Sequence, residues 1–162
     1  MVNLFRPRRT TPRLERLRNL SLFVNLTPAE LQIVDGLLHE RDYLAGEVIF
    51  DEGEEGQAIY IVASGDVLIC RQGQGAADGM GRVAQLGPGT FFGELALLDD
   101  SPRSAQARAA NACQLIVFFR DDFVGLLDTH ARIASKISRE LARHLGTRMR
   151  DMALAVGAYQ HL

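Results

Sequence analysis

Between Tyr43 and Phe119 the chain breaks into short apolar runs separated by glycine, a rhythm that suits strands and tight turns and leaves little room for helices. The runs are Val48 to Phe50, Ala58 to Ala63, Val67 to Cys70, Arg82 to Leu86, Ala105 to Ala109 and Gln114 to Phe119. Gly46, Gly53, Gly56, Gly65, Gly73, Gly75, Gly79, Gly81, Gly87 and Gly89 punctuate them and allow the backbone angles that tight turns require. Strands recurring about every 8 to 12 residues with such turn signals predict a β-barrel or jelly roll over residues 43–119.

Helical periodicity flanks this region on both sides. Before it, an Arg- and Pro-rich arm leads into Leu14, Leu17 and Leu20, then Leu31, Val34, Leu37 and Leu38, which predicts helices up to about Arg41. Thr27 can cap the second of these and Pro28 suits its first position. After the strands, Asp121 and Asp122 open a short helix that buries Phe123, Leu126 and Leu127. A longer helix follows, with Ile133, Ile137, Leu141, Leu145 and Met149 at four-residue steps and Ala134, Met152 and Val156 beside them. Its apolar stripe exceeds what one flank of a small barrel needs to cover, so it either folds back on its own barrel or pairs with a second copy. The expected division is a basic arm and helix over 1–20, a main domain over 21–156 with its C-terminal helices from 121 to 156, and a tail over 157–162.

With 162 residues, 47% of them hydrophobic, the chain has material for one core. A net charge of -2 gives no global attraction to nucleic acid or anionic lipid, so an anion site has to be a local cluster. Cys70 and Cys113 lack disulfide or metal spacing and read as core thiols of a reducing compartment. Six arginines before Asn19, with no apolar segment among them, do not resemble a secretory signal, and no apolar run approaches a membrane span. A cytoplasmic protein without a membrane partner is the expectation.

The chemistry concentrates between strands, where residues 92–105 read Phe-Gly-Glu-Leu-Ala-Leu-Leu-Asp-Asp-Ser-Pro-Arg-Ser-Ala. Gly93 permits close approach of the backbone to a ligand, and Glu94 to Leu98 can form one helical turn. Pro102 sets the backbone before Arg103, whose guanidinium can pair bidentately with phosphate oxygens, while Ser104 adds a hydroxyl. A carboxylate nine residues before that arginine would repel an anion unless the ligand carries hydroxyl donors beside its phosphate. A ribose supplies them, and Glu94 can accept from its 2'-hydroxyl.

This segment resembles the phosphate-binding cassette of the cyclic-nucleotide-binding domain family, which includes protein kinase A regulatory subunits, catabolite activator proteins and nucleotide-gated channels. The matching positions are Phe92, Gly93, Glu94, Leu95, Ala96 and Leu97, then Pro102, Arg103, Ser104 and Ala105. The wider pattern is similar from about Leu22 to Leu154, including Glu47 to Phe50, Glu52-Gly53, Tyr60 to Val62 and Ser64-Gly65. The resemblance implies a mainly β fold, an eight-stranded jelly roll with an N-terminal helical bundle and two C-terminal helices. It also implies a stand-alone sensor for cAMP or cGMP, with no cofactor and no catalysis. Glu94 would take the 2'-hydroxyl, Arg103 and Ser104 the cyclic phosphate, Gly93 and Ala96 the sugar, Val83 the base, and Arg148 on the last helix would act as a lid over that base. The implied partners are a second copy through that helix and an effector protein. An alternative is a scaffold or dimerisation domain of the same fold, either binding cyclic di-GMP or free of ligand, with Glu94 and Arg103 paired internally.

Other chemistries find little support. No HExxH, GxSxG or GxxxxGK[ST] occurs, and His39, His130, His144 and His161 read as surface or helix-face residues. The acidic run Asp51 to Gly56 lacks EF-hand spacing and reads as a solvated turn. The stretch Gln72 to Gly81 begins with GxG but lacks the rest of a dinucleotide fingerprint, and reads as a flexible hairpin tip. Few residues follow Val156, so direct DNA reading by a C-terminal helix-turn-helix is not expected. The arginines of the arm, Arg6, Arg8, Arg9, Arg13, Arg16 and Arg18, read as a solvated tail.

Overall fold

Two short capped helices open the chain. In the computed structural model, which describes residues 11–73 and 79–157, Thr11 Oγ1 accepts from Leu14 N and starts helix α1, Pro12–Arg18. A 3-10 turn, Ser21–Phe23, leads to α2, Pro28–Asp35. Thr27 and Glu30 close a reciprocal capping box there, Glu30 N donating to Thr27 Oγ1 and Thr27 N to Glu30 Oε2. Part of the arginine-rich arm is therefore folded. Arg13 lies in α1 and pairs with Asp35 at 2.5 Å and Glu40 at 3.4 Å, while Arg6, Arg8 and Arg9 lie outside the described residues.

Eight strands follow: β1 Leu38–Tyr43, β2 Val48–Phe50, β3 Ala58–Ser64, β4 Val67–Gln72, β5 Met80–Leu86, β6 Phe91–Phe92, β7 Gln106–Ala109 and β8 Cys113–Phe119. They form two antiparallel four-stranded sheets, ordered β1-β8-β3-β6 and β2-β7-β4-β5. The expected jelly-roll barrel thus takes the form of two open sheets, and no ladder closes them into a barrel among the described residues. The helical reading up to Arg41 is also corrected. Helix α2 stops at Asp35, capped by Gly36, and Leu38 to Tyr43 extends as a strand against β8 in register from Leu38↔Phe118 to Tyr43↔Cys113. Between Gln72 and Gly81, residues 74–78 lie outside the described residues, and the hairpin closes with Gln72 opposite Met80.

Alternation along β3 and β8 divides the core in two. Val62 and Leu115 point between the sheets and meet Phe50, Val67, Phe92, Ala107 and Ala109. Ile59, Ile61, Ile116 and Phe118 point the other way, into a larger cluster shared with the helices. The C-terminal helices are α3, Arg120–Thr129, and α4, Ala131–Ala155. Phe123 and Leu126 of α3 are buried, whereas Leu127, expected to join them, is 46% exposed. On α4 the stripe divides along its length: Ile133, Ala134, Ile137 and Leu141 are buried, and Met149, Met152 and Val156 beyond them face solvent. No helix among the described residues is long and apolar enough to cross a membrane.

Candidate functional site

Gly93 ends β6 in the left-handed region, at φ 73°, and turns the chain into a 3-10 turn, Glu94–Leu97. The turn buries Glu94, Ala96 and Leu97 and leaves Leu95 and Leu98 exposed. A β-carbon at Gly93 would stand 2.5 Å from Arg103 Nη1, so any side chain there would collide with the guanidinium. Gly56 is equally constrained, because a β-carbon there would meet Ala96 Cβ at 2.9 Å and Arg103 Cζ at 3.4 Å. The acidic run is a turn with Asp51 to Glu55 exposed, as the sequence suggested, and its backbone also adjoins the Arg103 segment. Arg103 N donates to the Glu54 carbonyl at 2.7 Å, Gly53 N donates to the Arg103 carbonyl at 2.8 Å, and Glu55 bridges Pro102.

Arg103 is a buried cation, 8% exposed. Its Nη1 donates to the Gly93 carbonyl at 3.1 Å and its Nη2 to the Ala58 carbonyl at 2.8 Å, while its buried Nε has no partner. The guanidinium carbon lies 4.1 Å from the centre of the Phe50 ring and 5.7 Å from that of Tyr60, and Tyr60 stacks on Phe92. Burial lowers the arginine's pKa, and Tyr60, Glu54 and Glu94 oppose that shift. No carboxylate forms an ion pair with Arg103 among the described residues, so the charge is held by two carbonyls and an aromatic wall. A buried guanidinium with unfilled donor capacity is suited to an anion.

Glu94, 4% exposed, does not pair with Arg103. Its Oε1 instead accepts from Arg148 Nη1 of α4 at 2.5 Å. The sequence reading set Arg148 over a base, and the structure places it on the cassette carboxylate. Phe92 and Ala96 line the buried side of the segment, and Ala105 follows it half-buried, with Ser104 exposed between Arg103 and Ala105. Val83 stands apart from these groups on β5, the edge strand of the second sheet, in an irregularity of the β4–β5 register and half exposed.

His144 was read as a plain helix-face residue, but its ring lies 4.2 Å from that of Phe91, one turn of α4 before Arg148. Burial lowers its pKa, Arg148 adding to the shift and Glu94 opposing it. A histidine whose folded pKa is depressed binds its proton more readily when unfolded, so stability is lost as pH falls below the ordinary value of about 6.5. The thermal midpoint is therefore expected to fall between pH 7.5 and 5.5, and less steeply in a His144→Phe chain. Superimposable pH profiles would contradict a burial cost at His144. Only the helical spacing of His144 with Arg148 hinted at this placement. For Phe50 and Tyr60 the signal was their place in the wider family-like pattern, whereas Gly56 reads from the sequence only as a turn glycine.

Residues 40–130, more than half the chain and inclusive of the whole cassette, match the family model described as cyclic nucleotide-binding domain. This chain belongs to that family. Over 129 residues the cyclic-nucleotide-binding domain is 37% identical to the Cyclic AMP receptor protein of Thermus thermophilus, covering 80% of this chain and 59% of that one. It is 31% identical over 130 residues to the cAMP-dependent protein kinase regulatory subunit of Mycosarcoma maydis, covering 80% of this chain and 22% of that one. Among solved structures, the Catabolite Activator Protein of Thermus thermophilus superposes with a TM-score of 0.73 at 36% identity, over 85% of this chain and 62% of that chain. The chain thus spans less than two thirds of the length of these relatives.

Proposed function

We propose that this cyclic-nucleotide-binding domain is a non-catalytic sensor of cAMP or cGMP that signals through α4. The observation that carries the reading is Arg103: a buried cation with an unpartnered Nε and no counter-ion among the described residues, walled by Gly56, Gly93 and the Phe50–Tyr60 pair. A cyclic phosphate satisfies it with paired oxygens, and the exposed Ser104 hydroxyl lies next to it in the chain. Glu94 keeps Oε2 available for a ribose 2'-hydroxyl while Oε1 stays on Arg148.

Arg148 makes the site answerable to the helix. Because Glu94 on the cassette and Arg148 on α4 share one hydrogen bond, a ligand that moves the carboxylate also moves the helix, provided the two arrangements differ in affinity. Beyond His144 come the half-buried Leu145 and the exposed Met149 and Met152 of α4 and Val156 just past its end, which with Ser138 and Ala142 follow steps of four and three residues. That spacing suits a helical seam with a second copy, through which the switch reaches an effector protein.

Thermal denaturation with cAMP, cGMP and cyclic di-GMP tests the reading. At about 100 times the dissociation constant, linkage adds about 2.7 kcal/mol, or roughly 5 to 10 °C for a domain of this size. A rise with cAMP or cGMP is expected; no rise with either overturns the sensor. The Arg148→Ala chain should bind the same nucleotide about three- to tenfold more weakly, since its half-exposed partner leaves Glu94 buried without a cation. Equal affinity in calorimetry would deny Arg148 that role. Light scattering reads assembly, and a monomer with and without nucleotide would contradict the seam.

A further inference from the structure

Away from the cassette, the first half of α4 gathers cations on one side. Arg132, Lys136, Arg139 and Arg143 follow at intervals of four, three and four residues, which stacks them over about 16 Å of a single helix face. Asn25, from the corner before α2, faces them. Together with Ser135 these residues line an open groove of about 450 Å³ between α4 and the loop before α2.

Two of the four charges are already engaged. Lys136 Nζ donates to Glu30 Oε2 at 2.7 Å, and that hydrogen bond is the main reason the Glu30 carboxyl is held below its usual range. Arg143 donates to Glu140 Oε1 at 2.9 Å, an oxygen that also accepts from Asn25 Nδ2 at 2.6 Å. Arg132 and Arg139 are exposed and have no ion-pair partner among the described residues. Lys136 stands four residues after Arg132 and three before Arg139, and Arg143 four after Arg139, like-charge spacings that disfavour the isolated helix. Fold stability therefore gives no reason for lining them up, whereas an anionic occupant does.

The chemistry of the groove narrows that occupant. None of the six lining residues is aromatic, so the groove has no platform on which bases stack. Glu30 and Glu140 neutralise Lys136 and Arg143, which leaves two separated free cations among the described residues in place of the continuous basic track that a phosphate backbone follows. A flat lipid surface does not follow a concave wall. Discrete carboxylates on a narrow chain do, with Asn25 and Ser135 as neutral hydrogen-bonding groups between the charges. We infer that this groove docks an acidic segment of a partner protein, whose carboxylates, about 10 Å apart, pair with Arg132 and Arg139 two helical turns from each other. The inference stands on the groove and is independent of the nucleotide site.

The test is fluorescence anisotropy with labelled octaglutamate, which presents carboxylates at many separations, at low ionic strength. Saturable binding is expected, weakened about tenfold or more in R132E/R139E and less in R132A/R139A. The charge-matched R71E/R82E chain, altered at exposed positions of β4 and β5, should bind as the parent does. All variants are checked for an unchanged thermal midpoint and for unchanged cyclic nucleotide binding, which separates failure of the groove from failure of the sensor. Absence of saturable binding overturns the inference, as does equal weakening in R71E/R82E. So does tighter binding of octathymidylate or of phosphatidylserine vesicles than of octaglutamate.

Discussion

Replacing Arg103 by leucine is expected to raise the dissociation constant for the cyclic nucleotide roughly 30-fold to several thousand-fold, a loss of about 2 to 5 kcal/mol. The size follows from burial. The cyclic phosphate would be left in a desolvated pocket without its cation, and the Gly93 and Ala58 carbonyls would lose their donors as well. Leucine still packs on Phe50 and Tyr60, so the fold is expected to survive with only a modest change in its ligand-free midpoint. Arg103→Lys should fall between the two, because an ammonium keeps the charge but loses the planar fork that reaches two carbonyls and a phosphate together. Calorimetry decides: an affinity unchanged in the leucine chain removes Arg103 from the binding site.

Leu141→Ala should be the most damaging substitution on α4, costing about 2 to 5 kcal/mol and lowering the thermal midpoint by roughly 5 to 15 °C. Leu141 is fully buried in the cluster that joins the helices to Ile59, Ile61, Ile116 and Phe118, so truncation leaves a cavity in that shared core. Leu141→Met keeps the volume and should cost less than about 1.5 kcal/mol. Since Arg148 reaches Glu94 from the same helix two turns on, the alanine chain should also lose amide protection beyond Leu141 and bind nucleotide more weakly. Calorimetric melting and hydrogen exchange measure both effects. A midpoint within a degree or two of the parent would mean that α4 does not depend on this contact.

Most strands were legible because their signals are local. Val48–Phe50 was read with its observed bounds, and β3, β4, β5, β7 and β8 within one or two residues. Strand β1 was not legible. His39 to Asp42 are polar and exposed, and Leu37 and Leu38 extend the apolar spacing of α2, so only the ladder offered by β8 makes this segment a strand. The two-residue β6 is too short for periodicity, and its pairing with β3 defines it. In the same way Leu127 matched the buried spacing of α3 yet points outward, because the face a helix buries is chosen by what lies beneath it.

The order of residues alone determined the cassette: a glycine that turns the backbone, a carboxylate, and an arginine after proline, all within one loop whose chemistry depends on near neighbours. Tertiary structure decided how those charges are satisfied. The Gly56 approach to Ala96 and Arg103, the clasp of Arg103 by the Glu54 turn and the hold of Arg148 on Glu94 join positions 40 to 54 residues apart. No local pattern encodes such pairings, because they come from two sheets and a helix packing around a shared core. The same packing set Arg132 and Arg139 along an open groove, where the sequence read by itself showed only arginines on a helix.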